Sequence, residues 1–469
     1  MIRKKFLKDI IKVSVSNGIR LLASFLTGIL LPILFSVENY GFYKLFILYT
    51  SFAGLLHFGF IDGIYLKYGG NNYSELDKKE FSNYTKMLII IEVLMSLISL
   101  ILVLNLMEGD RQIVFIYWSI NLLFINIVSY YQIISQITSR FNEFALRNII
   151  YAIFISISIC LIYIFKIDDY KFLLLCIVII NLIMLIWYSI TYKDISPKLL
   201  NCFKFDFGSF KKIFKLGFPL IIANFISNLI LSFSRQFVDW FYDIETFAHF
   251  SYAFSLMSLT NVFIIAVGTV IYPTLKKIKL SKLMNYYNKS ISIILALVFL
   301  AIALFFPLSI FIVRFLPSYS NSLPILRIIF PSLSMSASIQ IVKLNYFKSL
   351  QNNKDYLKSG FATLIISLIL NFLAFYFFGT LESIAISSVI AYFIWYIITE
   401  IFFLKRVKMK ESLKNLIYII INTILFYLIS IFFNDILGMI LYILFTTIII
   451  IFFFRKIITN QIFKLRKSN

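Results

Sequence analysis

Cysteine is nearly absent: the 469 residues hold three, Cys160, Cys176 and Cys202. None stands at zinc or redox-pair spacing, and two fall inside apolar runs, so they read as small buried hydrophobes. No G-x-x-x-x-G-K-[ST] run occurs, which excludes an intrinsic P-loop ATPase. H-E-x-x-H and G-x-S-x-G are missing as well, which removes the commonest signatures of zinc proteases and serine hydrolases. Long polar segments are lacking too. The widest connections between apolar runs, 67–85 and 192–211, have about twenty residues each. No loop can build an active site outside the apolar runs, so an enzyme would have to work within them. Acidic residues number 22 against 44 Lys and Arg. Such a basic balance suits nucleic acid only when it clusters on a soluble face, and here it is scattered through short loops.

What the chain has in excess is apolar length. Hydrophobic residues make up 61% and aromatics 18%, well above the roughly 45–50% apolar share of soluble domains. The reading is an all-α polytopic membrane protein. A helix rises 1.5 Å per residue, so about twenty apolar residues cross a hydrocarbon core of about 30 Å. Apolar runs predict about fourteen transmembrane helices, near 13–35, 41–66, 86–107, 113–137, 146–166, 171–191, 212–236, 246–273, 287–313, 323–346, 357–378, 381–404, 414–433 and 436–454. The basic stretch Met1–Lys12 leads straight into the first run, which is too long for a signal-peptide core and reads as a retained helix.

Charge gives an orientation. With the N-terminus cytosolic, 36 of the 44 Lys and Arg fall in cytosolic segments or helix ends, four in outer segments and four within helices. This asymmetry satisfies the positive-inside rule with both termini cytosolic. A weak repeat adds an internal division. A basic lead into helix seven, a short acidic outer turn and helix eight match helices one and two at an offset near 207. Transporters are often built from two such halves. The expected layout is a six-helix lobe at 1–205, a second at 206–404, and two additional helices with a basic cytosolic tail at 405–469.

Ionisable groups inside apolar runs are costly and therefore mark function. Four are cations: Arg20, Lys44, Arg235 and Arg327. Arg20 lies roughly 10 Å inside helix one by helical rise and has no acid at i±3 or i±4. Lys44, Arg235 and Arg327 are near enough to an interface to snorkel, and Arg235 can pair with Asp239 at i+4. Together the four suggest a cationic cavity suited to phosphate, since the Arg fork binds oxyanions bidentately. Asp62 and Glu92 are candidates to hold Na⁺ or H⁺ as a coupling ion, or to neutralise an Arg. Glu400 is expected to pair with Lys405 or Arg406, and His57 to pack with a hydrogen bond. Asn121 and Asn126 read as interhelical glue. No cofactor, metal site or nucleic-acid partner is expected. Pro32, Pro219, Pro273, Pro307 and Pro331 mark helices that can kink.

Four short motifs carry a resemblance. E-N-Y-G-F-Y (Glu38–Tyr43) followed by F-G-F-I-D-G-I-Y-L-K-Y (Phe58–Tyr68) resembles the first hairpin of bacterial polysaccharide transporters. These are the O-antigen and capsule repeat-unit flippases of the multidrug/oligosaccharidyl-lipid/polysaccharide exporter superfamily. K-L-G-F-P-L opening helix seven and Y-P-T-L closing helix eight are similar to that family's second half. The resemblance implies an extrusion-transporter-like fold of two lobes around a central cavity. It implies flipping of a polyprenyl-diphosphate-linked oligosaccharide from the inner to the outer leaflet of the bacterial cytoplasmic membrane by alternating access. A polysaccharide polymerase and chain-length machinery would be partners. Arg20 matches the place where such flippases put a cavity cation, and helices thirteen and fourteen could form a groove for the lipid tail. The alternatives are a peptidoglycan-precursor flippase, a multidrug/cation antiporter of the same fold, and a membrane-embedded polysaccharide polymerase. An antiporter would favour an acid-lined cavity, against which the deep cation Arg20 argues; a polymerase would carry a large basic outer loop, whereas the outer segments here are short and hold four Lys and Arg.

Overall fold

The computed structural model describes residues 18–19, 22–196, 207–268, 280–350, 353–404 and 409–466. Among them all regular structure is helical, as the apolar runs require: without water, backbone groups must pair within their own segment. In chain order the helices are α1 (Leu22–Leu34), α2 (Val37–Thr50), α3 (Phe60–Tyr68), α4 (Lys78–Leu106), α5 (Gly109–Ile137), α6 (Phe141–Phe165), α7 (Tyr170–Thr191), α8 (Phe207–Phe241) and α9 (Ile244–Gly268). They continue with α10 (Leu280–Ile302), α11 (Phe305–Phe315), α12 (Ser322–Ile329), α13 (Ser332–Ala337), α14 (Leu344–Ser349), α15 (Asn353–Phe377), α16 (Leu381–Leu404), α17 (Met409–Phe432) and α18 (Asp435–Arg466).

Among the described residues ten helices are long and apolar enough to span a membrane, or twelve if each of two bent pairs is one broken span. The expected fourteen is therefore not reached. The runs at 13–35 and 246–273 are represented by α1, whose described part is too short to span, and by α9; neither is among the twelve. Two runs that read as continuous are broken. The second bends by 63° between Val37–His57 and Phe60–Tyr68, and the tenth by 46° between Ser322–Ile329 and Ser332–Phe347. Pro331 stands at the second break, where its ring and missing N–H interrupt the helix.

Packing divides the chain into two compact units, Met1–Asn228 and Leu229–Asn469, with the division inside α8. In the first unit the E-N-Y-G-F-Y motif pins a corner. Ser36 caps α2, accepting from the Asn39 backbone N–H. The Asn39 side chain donates to Asp168 Oδ1 at 2.8 Å, and the Ser36 N–H to the same oxygen at 2.9 Å. Phe42 lies against Tyr170 with ring centroids 4.9 Å apart. The start of α2 is thus tied to the turn before α7. The second and third motifs meet each other. Gly59, at φ +78°, and Gly63 lie so close to Gly217 of α8 that a methyl on Gly217 would overlap the Gly59 carbonyl and the Gly63 backbone. A methyl on Gly63 would likewise overlap the Ile213 carbonyl. Small residues allow this backbone approach between apolar helices.

In the second unit α17 and α18 pack on α10 and α11. Phe426 meets Phe305 at 5.2 Å between ring centroids, and the Tyr442 hydroxyl donates to the Phe299 carbonyl at 3.0 Å. Ser309 donates to Asp435 Oδ2 at 3.1 Å. The outward face of α18 is apolar, with Phe452 81% exposed, as a lipid-facing surface requires.

Candidate functional site

The break in the second span organises the polar groups of the first unit. After α2 the chain makes a tight turn over Ala53–His57, and Phe58 and Gly59 then adopt left-handed φ values of 52° and 78° before α3 begins. A broken helix leaves carbonyls without i+4 partners, and the one at Ala53 accepts from Asn126 Nδ2 of α5 at 3.0 Å. The same amide donates to Glu92 Oε2 of α4 at 2.9 Å. Glu92 is fully buried, and its Oε1 has no hydrogen-bond partner among the described residues. At the other end of the turn, His57 Nε2 stands 3.9 Å from Asp62 Oδ2.

The two acidic candidates are therefore joined through one turn, Glu92 at its first residue and Asp62 at its last. A buried carboxylate oxygen without a partner beside a break in a helix is a group that a proton or a hard monovalent cation can use; the Asn126 amide turns its N–H groups to the carboxylate and to the Ala53 carbonyl. Among the described residues no group of three or more His, Cys, Asp and Glu could hold a metal ion. Asn126 acts as glue between spans, as expected, and also orients Glu92. Asn121 joins spans too, accepting from Asn181 Nδ2 at 2.7 Å.

The described cationic candidates are divided between the two units. Arg20 lies outside the described residues. Lys44 belongs to the first unit, half-buried on α2 with Nζ 5.0 and 5.3 Å from the Tyr40 and Tyr43 ring centroids. Arg235 and Arg327 belong to the second. Arg235 is half-buried on α8, its guanidinium carbon 5.6 Å from the Phe254 ring, and Asp239 one turn on accepts from Gln236 Nε2 at 3.2 Å. Arg327 on α12 lies 6.0 Å from the Phe305 ring.

Two buried cations are absent from that candidate set. Lys343, on a π-helical turn after α13, donates to the Tyr396 carbonyl at 2.7 Å and to Thr399 Oγ1 at 3.1 Å, and stands 2.9 Å from Glu400 Oε2. The Tyr287 hydroxyl adds 2.7 Å to the same carboxylate oxygen, and Ser412 of α17 donates to the other. Glu400 is thus paired with Lys343; the expected partners Lys405 and Arg406 lie outside the described residues. Arg147 is the second, only 3% exposed on α6. Both fall at the predicted ends of apolar runs and so count as interfacial in a reading from hydropathy. An embedded Glu400 was the available signal for Lys343, since a buried carboxylate needs a buried partner. Tyr131 of α5 belongs to the core: it is buried and stacks on Tyr188 and Tyr192, each 5.8 Å away between centroids.

Residues 6–279 match the family model described as "Polysaccharide biosynthesis protein", a segment that contains all four motifs. No curated protein matches the sequence significantly. Among solved structures the chain is similar to the lipid II flippase MurJ in an inward closed conformation, at TM-score 0.74 and 17% identity, covering 96% of this chain and 100% of that one. It is also similar to an inward-facing multidrug resistance MATE family transporter of the MOP superfamily, at TM-score 0.57 and 15% identity, over 84% of this chain and 97% of that one. A MATE transporter of Vibrio cholerae gives TM-score 0.52 at 13% identity, over 85% and 98%. These folds are those of a flippase and of transporters, not of enzymes. With its four motifs inside a match that spans more than half its length, the chain belongs to the polysaccharide biosynthesis protein family and has the fold of the MOP superfamily.

Proposed function

We infer that this chain flips polyprenyl-diphosphate-linked oligosaccharide repeat units from the inner to the outer leaflet of the bacterial cytoplasmic membrane, for surface polysaccharide such as O-antigen or capsule. The observation that carries the reading is membership of the polysaccharide biosynthesis family by a chain built almost wholly of apolar helices. A diphosphate and several sugars cannot cross hydrocarbon unaided. Arg20, Lys44, Arg235 and Arg327 are the groups that would meet the diphosphate in turn as the protein alternates its access, while the polyprenyl tail stays in lipid. Asp62 and Glu92 would hold the Na⁺ or H⁺ that couples transport to a gradient. Both termini would be cytosolic, and a polymerase with chain-length machinery would consume the product.

A second reading is favoured by one observation, the higher fold similarity to the lipid II flippase than to the two MATE transporters. It makes the cargo a peptidoglycan precursor, which is also a diphosphate-linked saccharide. The test is complementation. The gene is deleted from its host and wild type, Arg20→Ala or Arg20→Lys is returned, with repeat units assayed on each leaflet. Flipping of repeat units predicts that wild type restores surface polymer and that Arg20→Ala leaves units on the inner leaflet. Loss of cell-wall synthesis with intact surface polymer transfers the assignment to the peptidoglycan precursor. Altered drug sensitivity with both polymers intact overturns the flippase reading.

A further inference from the structure

A small cavity of about 130 Å³ lies among α5, α6 and α7 in the first unit. Its polar lining is Ser129, Gln132, Arg147, Asn148, Tyr151 and Asn181, and none of its lining residues is acidic. Arg147 and Asn148 are each only 3% exposed. Arg147 Nε and Asn148 Nδ2 are buried with no hydrogen-bond partner among the described residues. Buried donors of this kind cost free energy unless something accepts from them.

The rest of Arg147 is fixed. Nη2 donates to Thr191 Oγ1 at 2.6 Å, and the guanidinium carbon lies 4.0 Å from the Tyr188 ring centroid and 5.0 Å from that of Trp187. Its acid is only partly its own. Glu143 stands 3.6 Å from Arg147 Nη1 but also 3.2 Å from Arg140 Nη1, outside the cavity lining. Two guanidinium groups share one carboxylate, so Arg147 is only partly neutralised by it. A held guanidinium with a spare N–H, next to a spare amide donor in a cavity whose lining holds no acid, matches an oxyanion.

We propose that this cavity is an anion site within the first unit, which takes a phosphate or carboxylate group through Arg147 and Asn148. The inference deepens the transport reading and rests on it only where the phosphate is taken to be that of the lipid-linked saccharide. Binding can be measured apart from transport, so failure of one leaves the other standing.

The experiment uses the full-length chain in nanodiscs at constant ionic strength. Inorganic phosphate, acetate and a polyprenyl diphosphate are titrated separately, read by calorimetry and by tryptophan emission, to which Trp187 is well placed. Wild type is expected to saturate with phosphate. Asn148→Ala should weaken binding by about fivefold, the loss of one neutral hydrogen bond, and Arg147→Gln by well over about tenfold, the loss of a charge-assisted one. Trp187→Phe should abolish the optical signal and keep the heat. Tighter Arg147-dependent binding of the polyprenyl diphosphate than of phosphate identifies the lipid headgroup as the source; Arg147-dependent binding of phosphate or acetate alone identifies a free anion. No saturable binding of any of the three by monodisperse wild type overturns the proposal. So does equal affinity in wild type and in a monodisperse Asn148→Ala that keeps the wild-type unfolding temperature.

Discussion

Lys343 Nζ stands 2.9 Å from Glu400 Oε2, and both side chains are almost wholly buried. The pair joins the π-helical turn of the tenth span to α16, and Ser412 extends it to α17. Removing one partner leaves a buried charge alone, which costs about 3–5 kcal/mol, whereas replacing both with apolar side chains is often close to neutral. Lys343→Met and Glu400→Leu should each lower the unfolding temperature in detergent sharply, and the double variant should recover most of the loss. If the double variant is as unstable as the sum of the singles, the pair is not the unit described.

The contact of Gly59 and Gly63 with Gly217 predicts a steric threshold. Gly217→Ala and Gly63→Ala would force α3 and α8 apart, because the overlapped atoms are backbone and cannot move alone. Overpacking of this kind costs about 1–3 kcal/mol or more. Gly54→Ala is the internal control. Its added carbon would lie 3.8 Å from His57 Nε2, an ordinary contact. Yield of monodisperse protein and thermal unfolding should separate the first two from the third; equal behaviour of all three would refute the close crossing.

Asn39 illustrates a motif residue whose work is structural. Its amide bonds Asp168 and the Ser36 hydroxyl. Asn39→Ala should cost about 1 kcal/mol, the net worth of an ordinary hydrogen bond. Transport per folded molecule should be unchanged. A variant of wild-type stability that fails to transport would make Asn39 a substrate contact instead.

Hydropathy and charge made the class legible because lipid selects apolar helical length directly. They were blind to what faces the bundle interior. Arg147 sits one and a half turns into α6, which begins at Phe141 rather than near 146, so an error of a few residues turned a buried guanidinium into an interfacial one. The second span reads as unbroken because Phe58-Gly59-Phe60 is apolar throughout; only its backbone dihedrals reveal the break. Asp62 and Glu92 were visible as embedded acids, but the turn that joins them, and the amide of Asn126, required the fold.

That turn sets the last prediction. Glu92 has one oxygen held by Asn126 and one with no hydrogen-bond partner among the described residues, whereas Asp62 faces His57. A coupling ion needs an oxygen that is both unpaired and shielded from bulk water; Glu92 is fully buried while the Asp62 side chain is 19% exposed, which ranks Glu92 first. Glu92→Gln keeps the side chain's shape and the acceptor for Asn126 while removing the charge. In proteoliposomes, flipping under an imposed Na⁺ or pH gradient should then lose its dependence on the gradient by about tenfold, within the range of typical coupling energies. Asp62→Asn should change it by much less. Gradient-driven flipping that survives Glu92→Gln but not Asp62→Asn would reverse the ranking and move the ion to the His57 end of the turn. If neither substitution changes the response, the break is an architectural feature of the span and the coupling group lies elsewhere.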